Sequence, residues 1–133
     1  MNRKYTFSDN IHVPEPDRPL YWMGSSRKDL MALPQEVRKF FGHALDFAQR
    51  GDKHQAAKVL KGFGGAGVLE IVKDDRTGSY RAVYVVKFEQ AIFVLHCFSK
   101  KSKHGVETPK ADMDLIRWRL DEAQALAKEM GND

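Results

Sequence analysis

Gly78-Ser79-Tyr80-Arg81-Ala82-Val83-Tyr84 and, after a short interval, Leu95-His96-Cys97-Phe98-Ser99-Lys100-Lys101 decide how this chain is read. The first stretch starts at a turn glycine and runs into alternating residues of strand type, with Arg81 flanked by Tyr80 and Tyr84. The second is an apolar strand that carries His96 and ends in Lys100, Lys101 and Lys103. Two neighbouring strands would bring Arg, His, Lys and Tyr into one small region. Those side chains bind phosphate, move protons and stack on bases.

Working outward, residues 68–73, 80–88 and 91–99 read as three strands. Their connections, 74–78 and 89–90, are short enough for antiparallel hairpins. Upstream, Pro34 suits the first turn of a helix. Val37, Phe40, Phe41, Ala44, Leu45 and Ala48 follow at helical spacing, and Gly51 stops them. A second short helix is expected over 53–61. It leads into Gly62-Phe63-Gly64-Gly65-Ala66-Gly67, which lacks the Gly-Lys-Ser/Thr ending of a phosphate loop. These glycines also leave a helix for a strand, the reverse of a dinucleotide fingerprint, so they are expected to serve as a connector. Residues 20–23 form a first strand, and Gly24-Ser25-Ser26 caps a short helical turn through Met31. Residues 1–19, punctuated by Pro14, Pro16 and Pro19, read as an irregular arm with a short strand at 5–7. At the other end Thr108-Pro109 opens a helix whose apolar stripe is Met113, Ile116, Leu120, Ala123, Ala127 and Met130. The expected fold is α+β: a small, mostly antiparallel sheet with N-terminal helices and one C-terminal helix, in a single domain over 20–133.

The chain has 133 residues, 42% hydrophobic and 30% charged, the composition of a globular domain able to bury one core. No apolar run is long enough to span a bilayer, and no signal-peptide core follows Met1. Cys97 is the only cysteine, which excludes an intramolecular disulfide and points to a cytoplasmic home and a small buried hydrophobe. The net charge is +4. It is unevenly spread: residues 50–104 hold eleven Lys and Arg against five Asp and Glu. Such concentration suits a nucleic-acid surface, though solvated strand and helix ends would give the same count.

The order of these motifs resembles the RelE/ParE toxin superfamily, and most nearly its HigB-like, phage-derived branch. The matching residues are Leu33-Pro34, Ala57-Lys58-Val59-Leu60-Lys61-Gly62 and Leu69-Glu70. Gly78-x-Tyr80-Arg81-x-x-Tyr84, Leu95-His96-x-Phe98-x-Lys100-Lys101-Ser102 and Thr108-Pro109 complete the set. The resemblance implies a toxin of a type II toxin–antitoxin system that cuts mRNA on the ribosome and inhibits translation, with no metal or other cofactor. The implied partners are a cognate antitoxin of helix-turn-helix type, mRNA and the ribosome, with no membrane. The chain departs from the pattern once: where relatives commonly carry Glu-x-Arg, it has Glu70-Ile71-Val72.

Arg81, His96, Lys100 and Lys101 are the candidate catalytic residues, and Lys58, Lys61, Arg76, Tyr80, Tyr84 and Lys103 the candidate RNA contacts. A guanidinium suits a phosphate, but Arg81 could instead pair structurally with Glu70 or with acids of the last helix. His96 could carry a proton or be a hydrogen-bonded core residue. By strict alternation Arg81 shares a face with Val83, Val85 and Lys87, and Tyr80 and Tyr84 take the other. The same rule puts His96 with Ile92, Val94, Phe98 and Lys100. Two further readings stay open: a degenerate, non-catalytic module binding antitoxin or RNA, motivated by Val72, and a ParE-type gyrase inhibitor, which the His-x-Phe-x-Lys-Lys ending argues against.

Overall fold

The computed structural model describes residues 5–8, 11–14, 17–65, 67–100 and 108–131, the strands at 5–8 and 11–14 as backbone only. Those two strands, β1 (Tyr5–Ser8) and β2 (Ile11–Pro14), pair antiparallel as a separate two-stranded sheet. Residues 5–8 and 11–14 are thus two paired strands, where the sequence suggests an irregular segment with one short strand at 5–7.

The main sheet has five strands: β3 (Leu20–Trp22), β4 (Lys58–Val59), β5 (Val68–Asp75), β6 (Gly78–Val85) and β7 (Ile92–Lys100). Their spatial order is β3-β7-β6-β5-β4, with β3 parallel to β7 and every other pair antiparallel. The α+β expectation therefore holds. The β5–β6 turn is tighter than expected, only Arg76 and Thr77, whereas the β6–β7 connection takes six residues. The expected helix at 53–61 is replaced by a turn and by β4. Here the Ala57 N–H donates to the His54 carbonyl and the Ala56 N–H to His54 Nδ1, which closes the turn. Lys58 and Val59 then add to the open edge of β5, where ladder hydrogen bonds outweigh one isolated helical turn.

Helices cover both faces. α1 (Ser26–Met31) and α2 (Gln35–Gln49) lie on one side, and α3 (Lys110–Glu129) lies on the other. Val37, Phe41, Ala44 and Leu45 of α2 pack on Ile71, Ala82, Tyr84, Ile92 and Val94. Ile116, Leu120, Ala123 and Ala127 of α3 pack on Val83, Val85, Phe93, Leu95 and Phe98. Both helices thus bury the apolar stripes read from their sequences. Cys97 is buried on the α2 side, and burial raises its thiol to about 12.

One irregularity sets the phase of β7. Val83 pairs with His96, yet the next residue, Tyr84, pairs with Val94, so Leu95 has no partner and the strand bulges there. Before the bulge, Ile92 and Val94 face α2; after it, His96 and Phe98 face α3. Arg119 of α3 secures this point. It is 7% exposed, and its Nη1 donates to the Leu95 carbonyl at 2.9 Å while Nη2 reaches Ser25 Oγ at 3.2 Å. Gly24, at φ +53°, makes room: a Cβ there would sit 2.7 Å from the Arg119 guanidinium.

Arg18 holds the chain entering the main sheet. Its guanidinium donates to the carbonyls of Val86, Phe88 and Ala48, tying the β6–β7 connection to the end of α2. No helix among the described residues is long and apolar enough to cross a membrane.

Candidate active site

Register turns the strands into rows of side chains on the α3 face. One row runs Lys58, Glu70, Val83, His96 across β4, β5, β6 and β7. The next runs Val72, Arg81, Phe98, and a third Asp74, Ser79, Lys100. Arg81 is therefore a diagonal neighbour of Glu70, His96 and Lys100, at separations of roughly 7–8 Å in ordinary sheet geometry. The bulge at Leu95 does this. Without it, His96, Phe98 and Lys100 would point at α2. His96 therefore shares its face with Phe93, Leu95, Phe98 and Lys100, not with Ile92 and Val94 as strict alternation predicts.

Two polar pairs occupy the face where it meets the start of α3. Arg81 Nη1 donates to Glu70 Oε2 at 2.8 Å, with side-chain exposures of 8% and 15%, and to Thr108 Oγ1 at 3.5 Å. The structural pairing expected as the alternative for Arg81 is thus present. His96 Nε2 lies 2.7 Å from Asp112 Oδ1, and its ring stacks on Phe98 at 4.3 Å and 13°. An ionised Asp112 can only accept, so Nε2 carries the hydrogen, and the neutral ring then has its lone pair on Nδ1. Nδ1 is buried with no hydrogen-bond partner among the described residues. That is the arrangement of a base oriented by a carboxylate. Lys100 is also buried on this face.

The other candidates scatter. Lys58 sits exposed at the β4 edge of the His96 row, Lys61 in the turn beyond it, and Arg76 in the exposed β5–β6 turn. Tyr80 and Tyr84 do not join Arg81. Both face α2; the Tyr80 hydroxyl bonds Thr77, and Tyr84 is 1% exposed with burial raising its phenol to about 12. A ring as enclosed as that of Tyr84 has no face for a base, and Tyr80 lies on the side of the sheet away from Arg81. Lys101 and Lys103 lie outside the described residues. No group of three or more metal-ligating side chains occurs among the described residues.

Asp112, Thr108 and Arg119 were not foreseen. Asp112 and Thr108 belong to a helix start with no sequence link to β7. Arg119 did carry a signal: it falls three residues after Ile116 and four before Ala123, inside the apolar stripe, where a charge must find buried partners. Val72, the residue at which the chain departs from the Glu-x-Arg pattern of the resemblance, stands directly opposite Arg81.

Comparison with known proteins agrees with the architecture. Free E. coli RelE in a mutant form matches with 19% identity and a TM-score of 0.51, over 80% of this chain and 97% of its own. Isolated E. coli RelE toxin matches at 20% identity and 0.48, over 76% and 97%. The RelBE2 toxin–antitoxin complex from Mycobacterium tuberculosis matches at 19% and 0.42, over 65% and 95%. No curated protein matches the sequence. Residues 28–121 match the model of the family described as phage derived protein Gp49-like (DUF891). With its α+β, RelE-like fold and a family match over most of its length, this chain belongs to the phage-derived Gp49-like family.

Proposed function

We propose that this chain is the toxin of a toxin–antitoxin pair and cuts mRNA on the ribosome. The observation that carries this reading is the bulge that brings His96, oriented by Asp112, and Lys100 onto the same face as Arg81. The reaction is attack of a ribose 2′-hydroxyl on the adjacent phosphorus, with the P–O5′ bond breaking and the departing 5′-oxygen taking a proton from water. His96 Nδ1 takes the hydroxyl proton, Asp112 steadies the imidazolium, and Arg81 and Lys100 offset the negative charge added at phosphorus. Glu70 Oε2 accepts from Arg81 Nη1 where a phosphate oxygen would, since carboxylate and phosphate both accept from a guanidinium. Lys58, Lys61 and Arg76 contact the flanking backbone, and the partner antitoxin blocks this face.

Arg81, His96 and Lys100 are only 5–7% exposed. Access therefore requires the first turn of α3, with Thr108 and Asp112, to move away from the sheet. That burial, with Val72 opposite Arg81, favours a second reading: a degenerate module that binds antitoxin or RNA without cutting.

Inducible expression in bacteria without an antitoxin, followed by primer extension on a reporter mRNA, separates the two. The catalytic reading expects growth arrest and discrete cuts, with His96→Gln cutting at least ~100-fold more slowly while still folding. Intact reporter mRNA beside folded wild-type protein means the degenerate module. DNA damage without mRNA loss means a gyrase poison.

A further inference from the structure

On the opposite face, where α2 overhangs the end of β5, lies an open groove of about 300 Å³. It is lined by Glu36, Lys39, Phe40 and His43 of α2, by His54 and by Lys73. The volume lies at the lower end of small-ligand sites. Four nitrogen-bearing side chains meet one carboxylate, so the groove favours an anion.

Two of the four are held in place. The Lys73 ammonium rests over the Phe40 ring at 5.0 Å from its centroid. His54 packs against Phe40 at 5.2 Å and Phe47 at 5.5 Å, and its Nδ1 accepts the Ala56 N–H at 3.0 Å. With Nδ1 accepting, the ring hydrogen sits on Nε2, which makes His54 a fixed donor. Neither Lys39 nor Lys73 is in a contact ion pair among the described residues, although Lys73 is near enough to Asp75 to act on its carboxyl. Sheet register then relates the groove to the α3 face. Lys73 pairs with Tyr80, one rung from the Val72–Arg81 pair, and points to the other side. Three residues on, exposed Arg76 occupies the turn that joins the two faces.

We propose that this groove is a second RNA contact: Lys39, Lys73 and the His54 N–H hold a backbone phosphate of a single strand that bends over the β5–β6 turn past Arg76. The RNA ligand rests on the proposed function, but no catalytic step does. The strand is thereby gripped on both sides of the sheet, with only the α3 side carrying the chemistry.

The test is fluorescence anisotropy of a labelled 12-nucleotide single-stranded RNA, titrated between 50 and 300 mM salt. Each backbone contact on a single strand contributes about 0.7 to the slope of log affinity against log salt. The Lys39→Ala/Lys73→Ala double variant, which removes that one phosphate contact, should lose about 0.7 from that slope and bind at least ~10-fold more weakly at low salt. Lys28→Ala/Lys128→Ala, which removes the same charge from exposed positions elsewhere, should keep the wild-type slope. Amide NMR of the wild type should show His54 and Lys73 shifting with the RNA, and with inorganic phosphate at higher concentration. Equal losses in both double variants, unchanged binding by the groove variant, or no RNA binding by the wild type overturns the proposal. An absence of mRNA cuts from a wild type that still shows the groove-specific slope overturns only the catalytic reading.

Discussion

Leu95 lacks a partner on β6, and its carbonyl is met instead by the Arg119 guanidinium. Substituting Arg119 by Ala leaves that buried oxygen and the bulge without their donor, at a cost of about 1–3 kcal/mol. Urea unfolding of Arg119→Ala should show this loss, and Arg119→Lys should recover part of it through its single ammonium. In the folded variant, the His96 ring resonances should also move, because the bulge sets which way His96 points. Single residues were unevenly legible in the sequence. Arg81 and Glu70 could be matched because their types and strand positions suffice to make a pair. His96 was grouped with Ile92 and Val94 as well as with Phe98 and Lys100 because the run from Ala91 to Leu95 is apolar throughout, so no change of pattern marks the slip in phase. For Tyr84 burial and base stacking both stayed open, since a tyrosine in a strand looks the same whether a helix lies over it or not.

Elements with a strong period were the most legible. The stripes of α2 and α3 and the β5-β6-β7 meander follow from hydrophobic spacing alone. β4 was missed because two residues show no period, and its pairing depends on an edge of β5 ten to twelve residues away. The β5–β6 turn makes a prediction of its own. Asp75 Oδ1 accepts the Thr77 hydroxyl at 2.6 Å and the N–H groups of Thr77 at 2.7 Å and Gly78 at 3.2 Å. The Thr77 hydroxyl is the largest influence holding the Asp75 carboxyl below its ordinary value of 3.8; the two N–H groups and Lys73 add to it. A depressed folded-state value contributes stability above pH 3.8, and that contribution disappears as pH falls through the folded-state value. Asp75→Asn should therefore be less stable than wild type at pH 5 and above. The gap in urea midpoint between the two proteins should close progressively below pH 3.8.

Across the whole molecule, one sheet separates two cores, and each core places one kind of chemistry. The α3 side carries the paired charges around Arg81 and His96; the α2 side is apolar until it opens into the Lys39–Lys73 groove. The central surplus of positive charge was visible in the sequence, but its division between two faces was not, because that division depends on register. The parallel pairing of β3 with β7 has a kinetic consequence. Leu20 meets Ile92 across more than seventy residues, whereas β5, β6 and β7 pair through turns. Closing so long a loop is entropically unfavourable until the meander exists to receive the strand. β3 should therefore dock after the folding barrier has been crossed. Trp22→Ala, which removes a half-buried ring from β3, should speed unfolding and leave the refolding rate nearly unchanged in stopped-flow denaturant jumps. The strand that completes the sheet would then be the last to join it and the first to leave, and the lifetime of the folded protein would be set at that edge.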